Sequence, residues 1–578
     1  MVNGKNGGTV WKVAAVFLMM IALAAAGLIP HLGTEDIPEE EVPQGGYGEE
    51  FIYASGDAFY DDMGSAWQIR SIGFGNACWS NHNGPVYGYC DESSYQELAE
   101  LGFNTVRFYL NYGMFERDET PYVYNEAAFA WLDQNVEWAS NHGIRILFNM
   151  HYPQGGYQSA GGGLDLWRNR NDEQGRLAAL WGAIAERYAD NPAVLGYGLV
   201  NEPYLLWQGS AQKTLAQWED LAQSITDAIR AVDRNHILFL EAVLGAIEPY
   251  SRQSVYLLND NYNLISVRDP ADNVAYEIHF YQPTAFTHMQ GENTEDWNYP
   301  DAGRAVLAGN SLAWVGSTYP SYIDKSQTME DGSGWKYVET IWVGPSQFGS
   351  NLMNLTMGCL NLSEGDSACL DDLQVTAYDE ETGRSTVIYS EDFSRDSGWT
   401  SFNNSGGQSQ YAYVRQDGHN GSGCLMITGR SYYNVLQEGQ PDYIAVQEDC
   451  QYKVSAWVKV EGNAEAVQVF PQMVFYQSAS SGAFTRDYME RLFESYADAA
   501  RRQGGPLFIG EFGILPDAFA YGGKEWLEDV FSVMEDWEIS YSFHLYHGGD
   551  FALYPNSSYE LPEGPNEVFY EIFQRYVG

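Results

Sequence analysis

The sequence predicts a (β/α)8 barrel with an all-β sandwich inserted after the sixth barrel strand. Short apolar strands alternate with helical patterns, and eight such strands can be counted along the chain. The alternation stops between the sixth and seventh strand, where residues 286–482 show Gly/Ser/Asn turns and almost no helical period. Parallel strands need a crossover, most often a helix, so regular alternation implies a parallel sheet and eight units imply closure.

The first six strands are expected at Trp67–Ala77, Asn104–Leu110, Ile144–His151, Val194–Asn201, His236–Ala242 and Val274–Tyr281. Helical patterns at Glu92–Leu101, Glu126–His142 and Glu173–Asp190 separate the early ones. A helix at Arg486–Gln503 and strands at Pro506–Phe512 and Ser540–Tyr546 complete the set. Within the insertion, Tyr452–Val460 (YKVSAWVKV) has the period-2 alternation of a half-buried strand, and Val467–Tyr476 reads as another. Many short strands with turns between them point to a jelly-roll sandwich. The barrel is thus expected over 51–285 and 483–578. Loops after barrel strands lie on the catalytic face, which would set the sandwich beside the site.

At the N-terminus, Lys5 and Lys12 precede an uncharged run, Val13–Ile29, that ends in small residues. This is the pattern of a signal peptide, with an uncleaved membrane anchor as the alternative, over residues 1–30. An acidic Pro/Gly-rich linker follows over 31–50. Both readings place the rest of the chain outside the cell. Six cysteines suit that compartment. Local pairing would join Cys78 to Cys90, Cys359 to Cys369 and Cys424 to Cys450, although sequence alone allows about 15 connectivities. The net charge of −48, from 78 acids against 30 bases, argues against nucleic acid or an anionic membrane surface as a partner. Membrane contact is therefore expected only through the N-terminal segment, and the protein is expected to be a monomer. Aromatic residues make up 15% of the chain, with 17 Trp and 42 Tyr, which suits stacking against sugar rings as well as large cores.

Polar residues gather where the strands end. Arg107 lies near the end of the second strand, His151 ends the third, and Asn201 and Glu202 end the fourth. His279 and Tyr281 are on the sixth, Glu511 on the seventh, and His544, Tyr546 and His547 on the eighth. One charge at a strand end is ordinarily solvated or paired. Several converging on one barrel mouth need one another, because buried carboxylates need partners. Two glutamates on separate strands suit glycosidic cleavage. One must carry a proton for the leaving oxygen and the other must be ionised to attack the anomeric carbon, with about 5–5.5 Å between them in a retaining enzyme.

The set GFNTVRFYL, NMHYP, GYGLVNEP, EIHFYQP and IGEFG resembles glycoside hydrolase family 5, over about 51–285 and 483–578. That resemblance implies Glu202 as acid/base and Glu511 as nucleophile. It implies that Asn201 bonds the sugar 2-OH, that Arg107 orients Glu511 and keeps it ionised, and that Tyr281 bonds Glu511. His279 should lie near Glu202, and His151 should line the cleavage subsite. The family commonly ends strand eight in Trp. This chain has YSFHLYHG there, so Tyr546 or His544 is expected in that place. Trp79, Tyr152, Trp167, Tyr204 and Trp207 are candidate stacking platforms, with core packing as the alternative for each. The implied activity is retaining hydrolysis of a β-linked polysaccharide, foremost an endo-β-1,4-glucanase. A β-mannanase and a catalytically dead polysaccharide-binding barrel are the alternatives. No cofactor is implied for catalysis.

The insertion resembles a carbohydrate-binding module of jelly-roll type in permuted order. Cys369–Ala377 (CLDDLQVTA) resembles its closing strand and Glu391–Trp399 (EDFSRDSGW) its opening. A permuted module can hold its two ends close together. Asp371, Asp372, Glu391 and Asp392 are candidate ligands for a structural calcium, with exposed strand-end acids as the alternative.

Overall fold

The computed structural model describes residues 50–578 apart from 80–83, most of 250–260, 290–296, 307–312, 406–409, 439–442, 463–466, 478–481 and 556–563. The apolar run at 13–29 and nearly all of the acidic linker lie outside the described residues. Among the described residues, no helix is long and apolar enough to cross a membrane.

Strands Arg70–Phe74, Thr105–Asn111, Arg145–Tyr152, Val194–Gly198, Ile237–Glu241, Val274–Phe280, Leu507–Phe512 and Ser540–Phe543 form a closed parallel barrel. The last strand pairs with the first, Tyr541 beside Arg70. Thr105–Asn111 and Ile237–Glu241 are buried at every position, as expected where helices cover the outer face and side chains fill the interior. Ser210 caps the 20-residue helix Ala211–Arg230 through the Lys213 N–H, and Asn566 caps Glu567–Tyr576. Two helices are tied to strand ends by buried indoles. Trp181 donates to the Leu199 carbonyl and Trp218 to the Glu241 carbonyl, both at 3.0 Å. These anchors fix the backbone beside Glu202 and at Glu241. Beneath the barrel, the hairpin Tyr53–Ser55/Ala58–Tyr60 packs Ala54 and Phe59 against Leu147, Leu195, Phe239 and Phe508.

Two antiparallel sheets follow Val274–Phe280 in sequence. In one, Leu352–Leu362 pairs with Gln468–Gln477 and Ser431–Glu438; in the other, Ser367–Asp379 pairs with Cys450–Glu461 and Arg384–Glu391. Tyr452, Val454, Ala456 and Val458 face the core between the sheets, beside Met353, Met357, Leu370, Val375 and Phe475. Strand Asp301–Val306 pairs antiparallel with Gly482–Phe484, so the two ends of the insertion lie side by side. Phe484 anchors the junction, its ring 5.1 Å from Phe286, 5.3 Å from Trp297, 5.0 Å from Tyr299 and 5.9 Å from Tyr488.

The expected disulfides are not formed: all six thiols are free. Cys359 faces the sandwich core, whereas Cys369 faces away from it beside Trp335 and Cys424. Cys450 lies opposite Asp379, while Leu425, next to Cys424, lies opposite Leu370. Nine residues of strand separate those positions by about 30 Å, far beyond the ~4.4–6.8 Å a bridge spans between Cα atoms. Cys90 instead lies 3.4 Å from His547. Closeness along the chain misled because strand pairing, not loop length, decides which thiols meet.

The acids named as candidate calcium ligands accept hydrogen bonds within the sandwich. Buried Asp371 accepts from the His419 N–H at 2.7 Å, the Ser422 hydroxyl at 2.8 Å and the Asp372 N–H at 2.7 Å. Asp372 accepts from Asn420 at 3.0 Å. Glu391 accepts from the Phe393 N–H at 2.8 Å and the Ser397 hydroxyl at 2.6 Å, and Asp392 from the Ser394 N–H at 2.9 Å. Protein donors occupy these carboxylates. Among the described residues, two sets of three metal-capable side chains lie in the barrel.

Candidate active site

At the C-terminal mouth of the barrel, Arg107 is wholly buried and organises the site. It donates to Glu511 Oε1 at 2.6 Å and to Asn201 Oδ1 at 2.9 Å, and pairs with Glu277 Oε1 at 2.7 Å. The Tyr281 hydroxyl donates to Glu511 Oε2 at 3.1 Å. Glu511 therefore has a charged donor on one oxygen and a hydroxyl on the other. Gly510 makes room for this cluster: a Cβ there would lie 1.8 Å from Glu277 Oε1.

Glu202 faces Glu511 across His279. His279 Nδ1 is 3.0 Å from Glu202 Oε1 and 3.6 Å from Glu511 Oε2. The Ser159 hydroxyl donates to Glu202 Oε2. One oxygen of each glutamate and a ring nitrogen of His279 lie within 4.8 Å of one another. Side-chain exposure is 16% for Glu202 and 6% for Glu511, so both are desolvated and Glu202 is the more open to the cleft.

The electrostatics separate the two ends of the cluster. Burial alone would raise the pKa of Glu511, but His279, His544, Arg107 and His151 oppose it and hold the carboxyl well below the ordinary carboxylate range. Arg107 and His279 supply the charge. Burial holds His151 well below the usual imidazole value, and His544 below it as well. Burial would lower His279 too, but Glu241, Glu511, Glu202 and Glu277 surround it and raise it well above that value. The glutamate and histidine groups could hold a metal ion, yet Arg107 already places a cation among them.

The structure brings together Arg107, His151, Asn201, Glu202, His279, Tyr281 and Glu511, all named from sequence. His151 Nδ1 lies 3.8 Å from Glu511 Oε1. His544 Nδ1 lies 3.7 Å from Glu511 Oε2 and 2.9 Å from the Tyr109 hydroxyl, so His544 stands at the cleft. Tyr546 does not: it is buried, packs on Phe74 and donates to Glu97 at 2.7 Å. Both lie past the end of strand Ser540–Phe543, where the backbone no longer alternates and Tyr546 turns toward the helices. Trp167 is also a core residue, buried edge-on against Trp218 with its indole bonded to Gln158 at 2.7 Å. Trp79 is half-buried and edge-on to His151 at 6.0 Å, close to the cluster. Tyr152, Tyr204 and Trp207 are half-buried: Tyr152 ends the third strand, Tyr204 opens the short strand Tyr204–Leu206 and Trp207 follows it.

Two further acids escaped the sequence reading. Glu277 pairs with Arg107, and Glu241 Oε1 accepts the Glu202 N–H at 2.8 Å and lies 3.3 Å from His279 Nε2. Glu277 stands two residues before His279, so the strand period already placed it inside the barrel. Glu241 ends the fifth strand just as Glu511 lies near the end of the seventh.

Residues 64–332 match the profile of the cellulase family, glycosyl hydrolase family 5. A β-xylosidase of Phanerodontia chrysosporium is 30% identical over 272 residues, 41% of this chain and 53% of its own. Endoglucanase 3 of Fibrobacter succinogenes is 27% identical over 216 residues, 35% of this chain and 29% of its own. Endoglucanase C of Acetivibrio thermocellus is 24% identical over 212 residues, 36% of this chain and 54% of its own. The matches thus span about half or less of these relatives' length.

Proposed function

We propose, from a chain that carries a glycoside hydrolase family 5 (cellulase) domain, that this site hydrolyses β-linked polysaccharide with retention, and that β-1,4-glucan is its first substrate. The observation that carries the reading is the closeness of Glu202 and Glu511, with one oxygen of each within 4.8 Å. That spacing suits a nucleophile and an acid on one glycosidic bond, since inversion needs about 6.5–9.5 Å to fit a water.

Glu511, held ionised, attacks the anomeric carbon to form a glycosyl ester while Glu202 protonates the departing oxygen. Glu202 then takes a proton from the water that cleaves the ester. Asn201 uses its carbonyl on Arg107, which leaves its amide N–H to donate to a sugar hydroxyl. A cavity of about 530 Å³ beside the loop that carries Ser159, lined by Tyr112, Tyr152, Asp118 and Arg176, offers room for further sugar units. Relatives named endoglucanase support a glucan backbone; the same catalytic set would serve a mannan.

The test is a reducing-sugar assay on β-glucan, carboxymethyl-cellulose, glucomannan, galactomannan and xylan, with Glu511→Ala beside the wild type. Cleavage of the glucans is expected, falling by on the order of 10⁴-fold or more in the variant. NMR of the first-formed anomer should show retention. An inverted product would remove the two-glutamate assignment, and glucan binding without cleavage by the wild type would favour a dead barrel.

A further inference from the structure

Glu202 occupies an unfavourable piece of backbone. Its φ is +46°, a left-handed conformation that a Cβ disfavours, and Pro203 follows, which biases the preceding residue toward extended geometry. One side chain holds this turn. Glu241, on the neighbouring fifth strand and 4% exposed, takes the Glu202 N–H on Oε1 at 2.8 Å. The same oxygen lies 3.3 Å from His279 Nε2, and Glu277 Oε1 is 3.4 Å from that nitrogen. Both carboxyl groups face Nε2 and fix the orientation of the ring. Nδ1, 3.0 Å from Glu202 Oε1, is the ring position left to exchange a proton with the acid.

We propose that Glu241 is a positioning residue for Glu202, fixing the backbone turn that aims the acid into the cleft and the orientation of the imidazole that shares its proton. This rests on the assignment of Glu202 as acid/base. Burial raises the Glu241 carboxyl well above the usual range, against the pull of His279. Its second oxygen has no hydrogen-bond partner among the described residues, and Arg107 stands 3.6 Å away. A buried carboxyl left partly unsatisfied is costly to keep for packing alone. The Glu202 N–H and His279 are the two groups its first oxygen serves.

A residue that positions only the acid should matter only when the leaving group needs a proton. The test compares kcat/KM, which reports the glycosylation step, on an oligosaccharide of the sugar that the panel selects and on the matching 2,4-dinitrophenyl glycoside. The dinitrophenolate leaves without protonation. Glu241→Leu keeps the volume and removes the acceptor; Glu241→Met replaces it should the leucine variant not fold. Either should lose about 10²–10³-fold on the oligosaccharide and stay within about 10-fold on the activated glycoside. Glu241→Gln keeps a carbonyl for both N–H groups and should recover most of the loss. Equal falls on both substrates, or no fall on the oligosaccharide, would overturn the proposal. Wild type inactive on both would overturn the functional reading itself. Active wild type with inactive Glu511→Ala secures that reading whatever Glu241 does.

Discussion

At the N-terminal mouth of the barrel, Leu147, Leu195, Ile237, Phe239, Ala275 and Phe508 pack against the hairpin residues Ile52, Ala54 and Phe59. At the C-terminal mouth, the same strands present Asn149, His151, Glu241, Glu277, His279 and Glu511. The two ends are joined by single registers. Ile237, Phe239 and Glu241 are alternate residues of one strand; Ala275, Glu277 and His279 are alternate residues of the next; Leu147, Asn149 and His151 run the same way. Each strand thus carries one inward row that changes from apolar to ionisable within about 13 Å, at roughly 3.3 Å per residue. The sealed end holds the barrel together, and the open end tolerates buried groups without hydrogen-bond partners among the described residues, such as Arg107 Nε, Asn149 Nδ2 and one oxygen each of Glu241 and Glu277. Cavity size does not distinguish them. A groove of about 560 Å³ lies at the sealed end, between the hairpin, Arg501 and Trp537. Arg501 there pairs with Asp57 and Asp498, all about half exposed, so that groove gathers no desolvated charge.

The sharpest break of this division is Phe239→Ala. Truncating a buried phenylalanine should cost about 3–5 kcal/mol of stability, read as a drop in Tm, while the folded variant keeps kcat within a few fold. Loss of kcat without loss of Tm would mean that the two ends of the row are not separable.

The barrel was legible because its strands are continuous apolar runs bounded by helices with clear periods; Val194–Gly198 and Val274–Phe280 fall within the ranges read from sequence. The glutamates and their immediate partners were legible through the strand-end motifs. Glu241 was not, because HILFLEA looks like an ordinary buried strand whose last residue could equally face solvent; only the register beside Glu202 shows its direction. Tyr546 failed for the opposite reason. It lies two residues past His544, yet its ring turns into the layer between barrel and helices, and no spacing in YSFHLYHG announces that turn. The disulfides failed because pairing depends on which sheet face each thiol occupies.

His544 and Tyr546 therefore give a smaller, paired test. His544→Ala removes a ring 3.7 Å from the proposed nucleophile and should lower kcat/KM by about 10–100-fold with little change in Tm. Tyr546→Phe loses the bond to Glu97 and should lower stability by about 1 kcal/mol, leaving kcat/KM unchanged. An activity loss in Tyr546→Phe larger than in His544→Ala would restore Tyr546 to the cleft.

The last contrast is in pH. Glu511 is held below the ordinary carboxylate range by His279, His544, Arg107 and His151, against burial. A carboxyl whose folded pKa is depressed stabilises the native state above its unfolded value, about 4.3, and that contribution is lost as pH falls through the folded value. Glu511→Gln lacks it. The variant should melt below the wild type at neutral pH, and the gap should close only as pH drops below about 4. Phe239→Ala has no titrating group at the lesion, so its Tm gap should stay constant over the same window. Melting both variants across that range separates charge at the open mouth from packing at the sealed one. A Glu511→Gln gap that does not change with pH would mean that the carboxyl is not held ionised by its neighbours, and the attack step would lose its electrostatic basis.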